Sequence, residues 1–118
     1  MTMDLSLEGL TLHVDDVQRS LDYYLRFPGA RLLHRRPGKS EFALLKIGRA
    51  RLGLLGHGAP GFHIEISTSD LDGIYDKLRE SGISPSDQPT LQHWGDRTFH
   101  AFDPDGNRLE FDTRIGML

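Results

Sequence analysis

The segment FDPDGNRLEF, residues 102–111, carries one carboxylate, Glu110, in a run that otherwise reads as a strand. A charge there is costly to bury unless something pairs with it. Six histidines are available as acid, base or ligand groups, and the absence of cysteine excludes disulfides, cysteine zinc sites and thiol nucleophiles. The polar residues fall at alternate positions of short apolar runs. In HIEIST, His63, Glu65 and Ser67 share one strand face; in RTFHAF, Thr98 and His100 alternate with Phe99 and Ala101. In NRLEFDT, Arg108, Glu110 and Asp112 alternate with Leu109 and Phe111, and in GLTLHV, Gly9, Thr11 and His13 alternate with Leu10, Leu12 and Val14. Helices must pack on the aliphatic faces, so the polar faces line either bulk water or a cleft.

The elements that position these residues occur twice. LEGLTLHV reads as a strand, and DDVQRSLDYYLRFPGA then changes to helical spacing, with Asp15 or Asp16 as cap and Pro28-Gly29 as stop. RLLHR, SEFALLKI and ARLGLLG follow as strands, with turns at Pro37-Gly38 and Gly48. After HGAPG, residues 57–61, the order restarts: HIEIST is a strand and SDLDGIYDKLRESGI a capped helix. Strands are expected near ISPSDQ (83–88), DRTFHAF and NRLEFDT, the last two joined by a Pro- and Gly-containing turn at 103–106. Asp70 answers Asp16 at an offset of 54, and LRESG answers LRFPG at an offset of 53. The fold expected is a single α+β domain of two βαβββ modules: module one 5–56, linker 57–61, module two 62–115.

At 118 residues the chain has room for one core rather than two independent ones. A net charge of −3 argues against nucleic acid or an anionic membrane as partner, and HRRPGK at 34–39, a lone basic cluster, reads as a solvated hairpin. No basic and apolar leader opens the sequence and no apolar stretch approaches ~20 residues, so a cytoplasmic protein is the default expectation. Tyr23 and Tyr24 read as core and dimer-contact residues.

The duplicated βαβββ pattern, with HIEIST opening the second module and DPDGNRLEF closing it, resembles the vicinal oxygen chelate superfamily, which includes glyoxalase I, extradiol dioxygenases, methylmalonyl-CoA epimerase and bleomycin-resistance proteins. The resemblance runs from about Leu5 to Thr113. It implies a curved mixed sheet around a small-molecule cleft, usually in a homodimer.

Enzymes of that superfamily hold a divalent ion through a His on the first strand of each module and a Glu on the last strand. The resemblance carries these roles onto His63 and Glu110, with Glu110 also the catalytic carboxylate; the first-module position falls on Gly9, where no ligand is present. His13 lies four residues along the same face, ~13 Å away at ~3.3 Å per residue, too far to replace it in an unchanged register. A third donor must then come from Glu65 or His100, giving a site for Zn, Ni, Mn or Fe with open positions for substrate oxygens. Thr11 and His100 are expected to hydrogen-bond substrate, His13 to act at the far end of the cleft, and Trp94 to stack on a planar ligand or cover it. The alternative is a metal-free binding protein of the bleomycin-resistance type, in which His63 and Glu110 bond each other.

Overall fold

The computed structural model describes residues 4–56 and 61–113; the expected linker at 57–61 falls outside them except for Gly61. Eight strands of mixed direction and two helices follow one another as β1 (Ser6–Val14), α1 (Val17–Tyr24), β2 (Arg31–Arg36), β3 (Phe42–Ile47), β4 (Ala50–Gly56), β5 (Gly61–Thr68), α2 (Leu71–Glu80), β6 (Thr90–Leu91), β7 (Arg97–Phe102) and β8 (Arg108–Thr113). This is the α+β alternation that the sequence predicts. By internal contacts the chain forms two units, one of Gly9–His63 and one of Met1–Glu8 with Ile64–Leu118, so the division falls inside β1 and inside β5.

In the unit Gly9–His63 the strands run in the order β2-β3-β4-β1. β4 is antiparallel to β3 and parallel to β1, with Thr11 opposite Gly53. Asp16 caps α1 by accepting from the Arg19 N–H at 3.0 Å, which settles the choice between the two aspartates. Val17 and Leu21 on one face of α1 pack on Ala43, Leu45 and Leu54, with Leu12, Val14, Tyr24 and Leu52 around them. Tyr24 is thus a core residue, whereas Tyr23 is exposed.

In the other unit the order is β5-β8-β7-β6, with β5 and β8 parallel and β8 and β7 antiparallel. Asp70 caps α2 through the Gly73 N–H at 3.0 Å. Leu71 and Ile74 of α2 cover Phe99, Ala101 and Phe111, and the rings of Phe99 and Phe111 stack at 4.7 Å. The aliphatic faces of β5, β7 and β8 are therefore turned to the helix. Their polar faces point the other way, as the period of two requires.

One expected strand is absent. Residues 83–88 form no strand; the second strand of this half is displaced to the two residues Thr90–Leu91. Pro85 and Pro89 remove two of the backbone donors that a ladder needs. The segment instead reaches β7 at single points, with the Ser86 N–H donating to the His100 carbonyl at 2.8 Å and Asp87 Oδ1 accepting from the His100 N–H at 2.6 Å.

Candidate metal centre on β5 and β8

The parallel register of β5 and β8 sets Glu65 directly opposite Glu110 and Ser67 opposite Asp112. The antiparallel register of β8 and β7 continues each rung, placing His100 opposite Glu110 and Thr98 opposite Asp112. One rung is therefore Glu65, Glu110 and His100; the next is Ser67, Asp112 and Thr98. His63 precedes Glu65 by two residues on the same face of β5 and is buried. Among the described residues, His63, Glu65 and Glu110 form a group in which one ligand atom from each lies within 4.8 Å of the others.

Three acidic groups crowded on this face cannot all keep their ordinary charge. Burial is the main cause that pushes the Glu65 carboxyl well above the usual range, reinforced by the charge of Glu110 and a hydrogen bond with it. The shift favours the protonated form of Glu65 beside Glu110. Asp112 is pushed up to about 7, again chiefly by burial and against the Ser67 hydroxyl, which donates to its Oδ1 at 2.9 Å.

His100 sits between two carboxylates. Its Nε2 is 2.9 Å from Glu110 Oε1 and its Nδ1 is 2.9 Å from Asp87 Oδ2. The hydrogen bond to Glu110 raises its pKa, burial opposes that, and Asp87 adds to the rise. With both ring nitrogens engaged, His100 is not the third donor of the metal group; Glu65 has that place.

In the unit Gly9–His63, His13 Nε2 lies 3.3 Å from His63 Nδ1, with the two rings 5.5 Å apart. That contact engages Nδ1 of His63 and orients its ring. The position of Gly9 admits no side chain: a Cβ there would stand 1.9 Å from the Arg51 carbonyl oxygen. Thr11 is buried against Gly53, where an added Cβ would meet Thr11 Oγ1 at 2.5 Å and the Phe42 ring at 3.0 Å. By the 54-residue repeat Thr11 corresponds to Glu65, and Gly53 takes the rung position that Glu110 has opposite it. The first half thus replaces a carboxylate pair with a hydroxyl and a glycine under an aromatic ring. Trp94 lies in the turn before β7, partly exposed, with its ring edge-on to His93.

Asp87 and Asp112 are parts of the arrangement that the candidate set from the sequence lacks. Asp112 was recognisable from its alternation with Glu110 on β8. Asp87 had no such signal, because it acts from a segment expected to be a strand.

The donor chemistry fits a divalent ion. One imidazole and two carboxylates form a set for a hard or borderline metal such as Mn, Fe, Ni or Zn. Donors at ~2.0–2.2 Å from a shared ion are at most ~4 Å apart, so the three side chains need only small rotations to close on one. Ligation would also require Glu65 to give up the proton that its raised carboxyl favours.

The model of the Glyoxalase/Bleomycin resistance protein/Dioxygenase superfamily matches residues 6–111, and the chain belongs to that superfamily. Solved structures agree on the fold. A hypothetical protein from Bacillus halodurans C-125 superposes with a TM-score of 0.80 at 18% identity, covering 98% of both chains. Methylmalonyl-CoA epimerase from Mycobacterium tuberculosis gives 0.76 at 19% identity, covering 92% of this chain and 87% of its own. A variant of the Streptomyces coelicolor methylmalonyl-CoA epimerase, in complex with 2-nitronate-propionyl-CoA, gives 0.75 at 20% identity over 95% and 96%. No curated protein sequence matches the chain significantly. Among the described residues no helix is long and apolar enough to cross a membrane.

Proposed function

We propose that the protein is a metal-dependent enzyme of this superfamily acting on a small molecule, with a divalent ion held by His63, Glu65 and Glu110. The observation that carries this reading is the convergence of one imidazole and two facing carboxylates within ligand spacing of each other. Bound there, an ion with open positions supplies Lewis-acid stabilisation to an enolate or oxyanion on the substrate.

The chain's own residues set the conditions for that chemistry. His13 meets Nδ1 of His63 and orients its ring. His100 Nε2 meets Glu110 Oε1, and Glu65, its carboxyl held well above the usual range, gives up its proton to ligate. Asp112, with its carboxyl near 7 and two residues from Glu110 on the same face, is a group able to accept or return a proton at working pH.

A second reading, a metal-free small-molecule binder, draws on Gly9 and on the raised Glu65 carboxyl, whose protonated form can face Glu110 without an ion. Thermal denaturation of the untagged, chelator-stripped chain in Mn²⁺, Fe²⁺, Ni²⁺ and Zn²⁺ separates the two. An ion that binds the folded state raises Tm with concentration, and His63→Ala abolishes the rise. No rise with any of the four leaves the binder.

A further inference from the structure

We infer that Asp87 and His100 are positioning residues for Glu110: Asp87 fixes the imidazole, and the imidazole fixes the carboxylate relative to Glu65 and His63. The inference rests on the metal reading and extends it to the residues that prepare the site.

The geometry is a chain of three side chains. Asp87 grips His100 at two atoms, accepting from its backbone N–H through Oδ1 at 2.6 Å and meeting ring Nδ1 through Oδ2 at 2.9 Å. A side chain held at both its backbone and its ring has little rotamer freedom left. Ser86 adds two bonds to the His100 carbonyl, from its N–H at 2.8 Å and its hydroxyl at 3.1 Å. The far ring nitrogen, Nε2, then meets Glu110 Oε1 at 2.9 Å.

Burial falls along the chain in the order the role needs. The side chain of Asp87 is 43% exposed, whereas those of His100 and Glu110 are 12% and 15% exposed. The outer carboxylate is wet and the inner one is sheltered. The local backbone supports the same conclusion. A regular strand at 83–88 would bond β7 through main-chain groups alone; Pro85 interrupts it, and the segment meets β7 through the Asp87 carboxylate and through the N–H and hydroxyl of Ser86. The contact is spent on the one β7 residue that faces Glu110.

The test uses the full-length untagged chain and Mn²⁺ as probe, with affinity read by calorimetry and the ion's surroundings by electron paramagnetic resonance. His100→Ala is expected to weaken Mn²⁺ binding 10- to 100-fold, the usual scale for partners that orient a metal ligand. Asp87→Ala should weaken it in the same direction, and the double variant should be no weaker than His100→Ala, because the two act as one unit. His100→Gln, whose amide still donates to Glu110, should recover much of the loss. A purely structural role would lower Tm in these variants and leave affinity and spectrum unchanged, which overturns the inference while the metal reading stands.

If the wild-type chain binds no Mn²⁺, whichever of Fe²⁺, Ni²⁺ and Zn²⁺ it does bind replaces Mn²⁺ in the calorimetry; if it binds none of the four, the metal reading fails, and the ¹⁵N spectrum of the His100 ring in the same metal-free protein decides the positioning role. Hydrogen-bonded ring signals that depend on Asp87 and respond to Glu110→Gln support it. A ring indifferent to both substitutions overturns it.

Discussion

Glu65 and Glu110 stand directly opposite each other on parallel strands, and burial with the charge of Glu110 pushes the Glu65 carboxyl well above its usual range. Like charges facing across a ladder are destabilising, so the pair is an unusual use of a rung unless a proton or a cation lies between them. That relationship gives the metal-free and metal-bound states opposite requirements at the same two side chains.

Glu65→Gln should separate those requirements. Glutamine keeps the shape and a donor toward Glu110 but cannot ionise. In metal-free protein near pH 7.5 it should stabilise the fold by about 1 kcal/mol or more, a rise in Tm of ~4 °C for a domain of this size. The same variant should bind Mn²⁺ more weakly by at least about 10-fold, having lost an anionic ligand. Calorimetric unfolding and metal titration on one preparation check both signs.

Stability of the metal-free chain should fall as pH rises from about 4.5 to 7.5. Asp112, with its ordinary value of 3.8 moved to about 7, keeps its proton in the folded state where the unfolded chain has already lost it. Stability therefore decreases across that window and levels off above it. Glu65, raised from 4.5, and His100, raised from 6.5, act with the same sign. The depressed carboxyls of Asp4, Asp72 and Asp103 make their contribution above about pH 4 and lose it below, outside this range. Urea midpoints at pH 4.5, 6 and 7.5 measure the slope, and Asp112→Asn should flatten it.

Metal loading should release protons. Burial holds the Glu65 carboxyl well above its usual range and ligation needs it ionised, so apparent affinity should rise up to about 10-fold per pH unit below its folded value for each proton lost. Calorimetric titration in two buffers of different ionisation enthalpy counts the protons. In Glu65→Gln the count should drop by about one.

Gly9→His should not rebuild the family's first-strand ligand. Any side chain at Gly9 runs into the Arg51 carbonyl oxygen, 1.9 Å from an added Cβ. The clash is with backbone and cannot be relieved by rotating a side chain, so Gly9→Ala and Gly9→His should both destabilise by about 3 kcal/mol or more, in the class of substitutions that force strain on a fixed backbone. Thermal unfolding of both variants checks this.

Alternation and capping are local signals, so both halves of the repeat, the aliphatic faces and the shared face of His63 and Glu65 were readable from the sequence. So was the family, through HIEIST and DPDGNRLEF. The partnership of Glu65 with Glu110 was not. It depends on the register of a parallel pair, which the length of the crossover and the packing of α2 on Phe99 and Phe111 decide, and neither is written in either strand. Asp87 was hidden for a different reason, since two prolines turned an expected strand into a segment that works through its side chains. Spacing along β1 places His13 only relative to Gly9, whereas its contact with His63 comes from a residue 50 positions away.

The most direct measurement is the metal content of the untagged chain, by elemental mass spectrometry after purification without chelators. About one divalent ion per chain is expected, retained on gel filtration and lost in His63→Ala and Glu110→Gln. Less than about a tenth of an ion per chain, unchanged after incubation with Mn²⁺, Fe²⁺, Ni²⁺ and Zn²⁺, would rule out a metal held by His63, Glu65 and Glu110.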